Sequence, residues 1–139
     1  MKTVISTQNA PAAIGPYSQG IQAGSLIITS GQLPIDPATG AFPATIEEQT
    51  RQSLTNCKAV LEAAGAAMEN VIKTTVFLSD MNNFAAMNEI AKAAGLVLGV
   101  SGADLSELHD TVAELEKAGN KNLILDVTAS TIKETFANA

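Results

Sequence analysis

The chain has 139 residues, of which 46% are hydrophobic and 16% charged, a composition typical of globular proteins and not of disordered ones. Its net charge of −6 at pH 7 argues against nucleic-acid partners and anionic membranes, because both need clustered lysine and arginine. No apolar run approaches the roughly 18 residues that cross a bilayer. The length favours one domain with its own hydrophobic core.

The cysteine content and the first residues bear on cellular location. Cys57 is the single cysteine, which excludes an internal disulfide and fits a reducing compartment. The opening residues lack the charged-then-apolar pattern of a secretory signal. A cytoplasmic location is therefore predicted.

Short strands are predicted in the first thirty residues. Residues 3–6 form one strand, and residues 9–16 form a loop rich in proline and glycine. Residues 18–23 and 25–30 are two β-prone runs around Ala23-Gly24, which predicts a hairpin. The segment DPATG at 36–40 predicts a turn.

A long helix is predicted over residues 45–64. Apolar or small residues recur there at steps of three and four: Ile46, Thr50, Leu54, Cys57, Leu61 and Ala64. Thr45 and Glu48 have the spacing of a capping box, and Gly65 suits a left-handed C-terminal stop. Cys57 falls on the apolar face, so it is interpreted as a small core residue and not as a nucleophile.

The sequence pattern changes near residue 91. Residues 71–78 predict a strand, and Asp80 is expected to cap a short helix over 81–94 that ends at Gly95. Residues 96–100 and 123–127 are apolar runs on either side of a helix that closes at Gly119, and Ser130 begins a last short helix. Such a strand–helix–strand unit normally pairs its strands in parallel.

Six stretches of the first part resemble one family. They are APAAIGPYSQ (10–19), TSGQLP (29–34), EEQTRQ (47–52), AVLEAAG (59–65), VIKTTVFL (71–78) and MNNFAAMN (81–88). In this order they resemble the RidA family, also called the YjgF/YER057c/UK114 family. The resemblance implies an α+β, chorismate-mutase-like fold, with helices packed on one face of a mostly antiparallel sheet. It also implies a homotrimer with active sites in the clefts between subunits.

The same resemblance implies an activity and a set of site residues. The implied enzyme is a 2-iminobutanoate/2-iminopropanoate deaminase, which hydrolyses reactive 2-imino or enamine acids to 2-oxo acids and ammonia with no cofactor and no metal. Tyr17, Ser30, Gly31 and Asn88 are the implied substrate-binding residues. Each has a structural alternative. Tyr17 would anchor its loop, and Ser30 and Gly31 would simply end a strand. Asn88 lies close to the change in sequence pattern near residue 91, so its helix could be displaced from the family position.

Two parts of the family's chemistry have no counterpart in this sequence. A substrate carboxylate is best held by the planar fork of an arginine, and the attacking water needs an acceptor to aim it. RidA proteins carry a Pro-x-Arg stretch and a final Val-Glu-Ile-Glu-like strand for these tasks, and neither stretch is present. The single arginine, Arg51, lies on the predicted long helix. The catalytic residues are therefore left unassigned.

The last part resembles a different protein. The stretches LHDTVAELEKAG (108–119), NLILD (122–126) and KETFAN (133–138) resemble a βαβ piece of the large subunit of the corrinoid iron–sulfur protein of acetyl-CoA metabolism. The predicted organisation is a RidA-like core over residues 1–90 and a βαβ-like segment over 91–139, packed on the same domain. The segment contains no cysteine, so it offers no iron–sulfur ligands. A natural fusion, a constructed chimera or a sequence error would each produce this junction.

Three functional hypotheses follow. The chain is a RidA-like imine deaminase, a catalytically silent binding or assembly protein on a RidA fold, or a chimera with no function of its own. The first rests on the matching stretches through Asn88. The second and third rest on the missing arginine and glutamate and on the foreign last segment.

Overall fold

The computed structural model describes residues 1–96, 98–101, 113, 117 and 123–126. The chain divides into two compact units. The first unit comprises Met1–Asn70 and Leu78–Ala94, and the second comprises Val71–Phe77 and Gly95–Ala139.

The first unit contains a three-stranded antiparallel sheet. Its strands are β1 (Lys2–Ile5), β2 (Gly20–Ala23) and β3 (Leu26–Thr29), in the spatial order β1-β2-β3. The connection between β2 and β3 is tight, because Ala23 pairs with Leu26 and Gly24 takes the left-handed backbone conformation, with φ of 61°. The predicted strand and hairpin are confirmed.

The long helix α1 spans Ile46–Ala63, and local sequence fixes both of its ends. The Thr45 hydroxyl oxygen accepts a hydrogen bond from the Glu48 backbone N–H at 3.3 Å. At the other end Gly65 has φ of 78°, its N–H donates to the Glu62 carbonyl at 2.9 Å, and the Ala66 N–H donates to the Leu61 carbonyl at 3.0 Å. These two bonds form a Schellman stop, as Gly65 predicted.

The core of the first unit lies between the sheet and α1. Its buried residues are Ile5, Ala10 and Val60, with Ile27, Ala59 and Ala64 packed against them. The fully buried positions of α1 are Asn56 and Val60, neither of which belongs to the predicted apolar stripe. The six stripe residues are half-buried and flank these two positions, of which Asn56 is buried through hydrogen bonds to the Leu33 and Ile35 carbonyls.

A second helix packs against α1. A 3-10 turn at Met81–Asn83 leads into α2 (Phe84–Ala93), and the Asp80 carboxylate accepts a hydrogen bond from the Asn82 N–H at 2.9 Å. The helix buries Met87, Asn88 and Ala91, and Gly95 follows with φ of 69°. The predicted cap and stop are confirmed. The first unit is thus an α+β arrangement of a small antiparallel sheet and two helices, and no helix within the described part of the chain is long and apolar enough to cross a bilayer.

The second unit contains a parallel strand pair. Strand β4 (Leu98–Ser101) pairs with β5 (Leu123–Asp126), with Leu98 opposite Leu123. The predicted parallel pairing is confirmed. Of the predicted helix between them, the structure describes Ala113 and Lys117, both helical. The remainder of that helix and the predicted last helix lie outside the described residues.

The prediction of a strand over residues 71–78 is wrong. Within this segment, which the structure describes in full, only Thr74 makes a bridge, and no ladder extends from it. Ile72 and Phe77 are 71% and 92% exposed, so the apolar side chains of this segment are not covered as those of a central strand would be. Strand propensity is realised only where a neighbouring strand continues alongside and a face is packed, and the β-branched sequence alone did not show that pairing within residues 71–78 is confined to Thr74.

Candidate functional site

The buried side chain of Gln19 holds the loop that carries Tyr17. Gln19 is 3% exposed, and its Oε1 accepts a hydrogen bond from the Thr7 N–H at 2.6 Å. Its Nε2 group donates to the carbonyls of Thr7, Ala10 and Pro11 at 3.0, 3.1 and 2.8 Å. One amide thus satisfies several backbone groups of a segment that belongs to no strand or helix, which is the role that a buried amide must fill to be stable.

Ser30 lies directly beyond the paired part of the hairpin. Thr29 pairs with Gly20, and one residue further the Ser30 N–H donates to the Gln19 carbonyl at 2.9 Å. The Ser30 hydroxyl also donates to this carbonyl at 3.2 Å. The β2–β3 ladder therefore continues to Ser30 and brings this residue to the end of the hairpin where the Tyr17 loop enters β2.

Tyr17 and Gly31 form the exposed part of this end. Tyr17 is 51% exposed, and its ring lies 3.6 Å from the position that a Cβ on Gly15 would take. The Tyr17 N–H donates to the Gly15 carbonyl at 2.8 Å. Gly31 is exposed, and a Cβ built on it would meet no atom within 4 Å. Open space therefore lies at Gly31, the residue that follows the half-buried Ser30.

A second amide, that of Gln32, also contacts Ser30. Gln32 Nε2 donates to the Ser30 carbonyl at 3.2 Å and to the Ser30 hydroxyl oxygen at 3.1 Å. The segment that follows is held by α1, because Asn56 Nδ2 donates to the carbonyls of Leu33 and Ile35 at 2.8 and 2.9 Å. Ser30 and the residues after it are therefore fixed by side-chain amides as well as by the sheet.

Asn88 lies in the first unit but on a different element, the helix α2. It is 5% exposed on α2, on the side of the helix that also buries Met87 and Ala91. Tyr17, Ser30 and Gly31 share one end of the hairpin, whereas Asn88 belongs to the helical layer. The structure thus bonds Ser30 to Gln19, which follows Tyr17 by two residues, and it places Asn88 in the buried face of α2.

The polar and titratable side chains of the described residues limit the chemistry of this site. The hydrogen-bond partners of the Ser30 hydroxyl are a carbonyl and an amide, which do not make a serine nucleophilic as a histidine would. Arg51 is exposed on α1. Burial raises the pKa of the Cys57 thiol and disfavours its nucleophilic thiolate form. Among the residues that the structure describes, no group of three His, Cys, Asp or Glu could hold a metal ion.

Sequence reasoning missed the amide residues that support the site. Gln19 and Gln32 stand inside the stretches that carry the family resemblance, and Asn56 stands on α1. A polar residue at an inward-facing position next to a strand was an available signal for Gln19, because such a residue is buried only with hydrogen-bond partners. Nothing in the sequence showed that the partners would be backbone groups of a distant loop.

Comparison with known proteins covers mainly the first two-thirds of the chain. The family model described as Endoribonuclease L-PSP matches residues 7–95. The 2-iminobutanoate/2-iminopropanoate deaminase of Escherichia coli (strain K12) is 54% identical over 93 residues, which cover 67% of this chain and 73% of that protein.

Several solved structures match this chain in fold as well as in sequence. The crystal structure of the YjgF gene product from E. coli is 54% identical with a TM-score of 0.65, and the match covers 66% of this chain and 72% of that one. The structure of E. coli TdcF with bound serine is 36% identical with a TM-score of 0.63, and the match covers 95% of this chain and 90% of that one. On the family match and the 54% identity, the chain belongs to the RidA (YjgF) family.

Proposed function

We propose that this chain hydrolyses small reactive 2-imino and enamine acids to 2-oxo acids and ammonia, with Tyr17, Ser30, Gly31 and Asn88 as substrate-binding residues. The observation that carries the proposal is the hairpin end, where an open Gly31 adjoins a hydroxyl held by Gln19 and Gln32. Support comes from the 54% identical relative named as a 2-iminobutanoate/2-iminopropanoate deaminase.

The reaction makes modest demands on the protein. Water adds to the imine carbon, the carbon–nitrogen bond breaks, and nitrogen leaves as ammonia while the carbonyl of the 2-oxo acid forms. Since an imine is already electrophilic, positioning of substrate and water supplies much of the acceleration, and neither a cofactor nor a metal is required for the step. The four residues would supply hydrogen bonds and shape, and no residue is assigned as acid or base.

The missing arginine and glutamate determine how much acceleration of imine hydrolysis to expect. Without the Pro-x-Arg stretch the substrate carboxylate has no bidentate cation, and bidentate pairs are the strong charge-assisted contacts. We expect catalysis above the buffer rate but below that of relatives that retain both residues. An amino-acid oxidase can generate 2-iminobutanoate in place, and its loss is followed with and without the folded chain. No acceleration by a folded sample would contradict the proposal.

The family membership also supports a proposal about the oligomeric state. We propose a homotrimer with sites between subunits, which the face of the sheet turned away from the core supports. Val4, Ile21 and Ile28 pair in one row across β1, β2 and β3, and Val4 and Ile28 are each 61% exposed. An apolar row of this kind is normally covered by a partner. Light scattering tests the state directly: a uniform trimer is expected, and a monomer or a heterogeneous aggregate would contradict it.

The finer architecture belongs to this proposal as well. We expect a chorismate-mutase-like core over residues 1–90 and a βαβ-like segment over 91–139 in place of the family's last strands. The parallel pairing of β4 and β5 supports the second part, because that pairing is typical of a βαβ unit. Limited proteolysis tests the division: a stable fragment that ends near residue 90 is expected, and cleavage first inside the hairpin would contradict it.

A catalytically silent binding or assembly protein is the second candidate, and the absence of both the Pro-x-Arg stretch and the glutamate strand favours it. Replacing the last segment with a family-like tail that carries both distinguishes the candidates. If the tail present here substitutes for them, the graft changes the rate of imine loss little. A large gain over an inactive parent would favour the silent scaffold.

A further inference from the structure

The orientation of the Gln32 side-chain amide follows from its two contacts. Its terminal nitrogen lies 3.2 Å from the Ser30 carbonyl oxygen and 3.1 Å from the Ser30 hydroxyl oxygen. A carbonyl oxygen can only accept a hydrogen bond, so the group that faces it must be the NH₂ and not the amide oxygen. The same NH₂ therefore donates to the Ser30 hydroxyl oxygen.

The proton of the Ser30 hydroxyl is then assigned as well. Because the oxygen accepts from Gln32, its hydrogen must point elsewhere, and the Gln19 carbonyl oxygen lies 3.2 Å away as an acceptor. A serine hydroxyl has one donor and two acceptor lone pairs. With its hydrogen given to Gln19 and one lone pair occupied by Gln32, one lone pair remains for a ligand.

We propose that Gln32 is a positioning residue that fixes the Ser30 hydroxyl as a hydrogen-bond acceptor, so that Ser30 recognises an N–H group of the ligand and not its carboxylate. A carboxylate offers only acceptors, whereas the nitrogen of a protonated imine or an amine offers donors. Ser30 is half-buried and adjoins the open space at Gly31, so the free lone pair is at the site proposed for substrate. This inference rests on the proposed function and names the part of the substrate that Ser30 contacts.

The test compares two ligands with the same carbon skeleton. 2-Aminobutanoate carries a carboxylate and an ammonium group, and butanoate carries the carboxylate alone. Both are titrated into the full chain and into Ser30→Ala, Gln32→Met and the double variant, with binding followed by NMR and folding checked by circular dichroism. Methionine matches glutamine in length but cannot donate a hydrogen bond.

The expected result is weaker binding of 2-aminobutanoate but not of butanoate. Ser30→Ala should weaken binding of 2-aminobutanoate by roughly tenfold, as expected for a hydrogen bond to a charged group, and should leave butanoate nearly unchanged. Gln32→Met should reduce the same preference, and Ser30→Ala should add little in the Gln32→Met background, because the two residues act as one unit.

Three other results would overturn the inference. Equal weakening of both ligands by Ser30→Ala would show that Ser30 contacts the carboxylate. Fully additive effects of the two substitutions would show that Gln32 does not act through Ser30. If the unaltered chain binds neither ligand, the inference is overturned, and the rate of 2-iminobutanoate loss decides the proposed function separately; the first two results likewise overturn the inference and leave the proposed function standing.

Discussion

Gly20 and Val60 are in close contact between the sheet and the long helix: a Cβ built on Gly20 would lie 3.0 Å from Val60 Cγ1. The same position is 3.3 Å from the Ile28 carbonyl oxygen and 3.3 Å from Ile5 Cδ1. Val60 is fully buried, so it has little room to move. The absence of a side chain at residue 20 is therefore a condition for the packing of α1 on the sheet.

Gly20→Ala should destabilise the fold. The added methyl group meets a buried side chain and a backbone oxygen, and overpacking of this kind costs about 1–3 kcal/mol in the free energy of unfolding. Urea unfolding followed by circular dichroism measures the change. Gly31→Ala is the matched control, because its Cβ meets nothing within 4 Å and its effect should stay within about 0.5 kcal/mol. Equal shifts in the two variants would contradict this account of Gly20.

Gln19→Leu should loosen the loop that carries Tyr17. The substitution leaves the Thr7 N–H and three carbonyls without their side-chain partner, which costs about 1–3 kcal/mol. The chain has one tyrosine and no tryptophan, so its fluorescence reports on Tyr17 alone. Quenching by acrylamide should increase in Gln19→Leu. The control is Gln22→Leu, which removes only an exposed 3.4 Å contact to Gly24, and identical quenching in both variants would refute the role of Gln19.

Asp36 should show a pH-dependent contribution to stability. Hydrogen bonds from the Ala38 N–H and the Thr39 hydroxyl lower the pKa of Asp36 below its ordinary value of 3.8. Since the folded-state pKa is lower than the unfolded one, the contribution is complete above about pH 3.8 and is lost as the pH falls through the folded-state pKa. An NMR titration should give a higher pKa in Thr39→Ala than in the unaltered chain. The same pKa in both would contradict the assignment.

Cys57 should react slowly in the folded chain. Burial raises the pKa of its thiol, so less of the reactive thiolate is present near neutral pH. Alkylation with iodoacetamide at about pH 8 should be at least roughly tenfold slower than in the urea-unfolded chain, and the single cysteine makes the product unambiguous. Similar rates in the two states would argue that the thiol is accessible.

Several of the elements that were predicted correctly are fixed by neighbouring residues. Thr45 and Gly65 bound α1 because a cap and a left-handed stop act within one helical turn, and Ala23-Gly24 closes the hairpin for an equally local reason. Residues 71–78 carry the propensity of a strand, but pairing depends on a partner elsewhere in the chain. Local pattern therefore identified α1 and the hairpin and misjudged this segment.

The site residues show the same contrast between what local sequence indicates and what depends on distant contacts. Tyr17, Ser30 and Gly31 were named from the family resemblance, and the hydrogen bonds between Gln19 and Ser30 bring them to one end of the hairpin. The supporting amides escaped notice, because Gln19 and Asn56 are buried by hydrogen bonds to backbone carbonyls that only the fold brings near. The direction in which the Ser30 hydroxyl points could not be read from sequence, since it depends on two contacts of Gln32.

The central claim is that the hairpin end binds an imino acid, and the most direct measurement compares the unaltered chain with Gly31→Ala in the imine-hydrolysis assay. Gly31→Ala should fold normally, while its methyl group projects into the open space at the proposed substrate site. The account predicts that the unaltered chain accelerates loss of 2-iminobutanoate and that Gly31→Ala loses most of this acceleration. Equal acceleration by both proteins would place the chemistry elsewhere, and none by the unaltered chain would contradict the deaminase proposal itself.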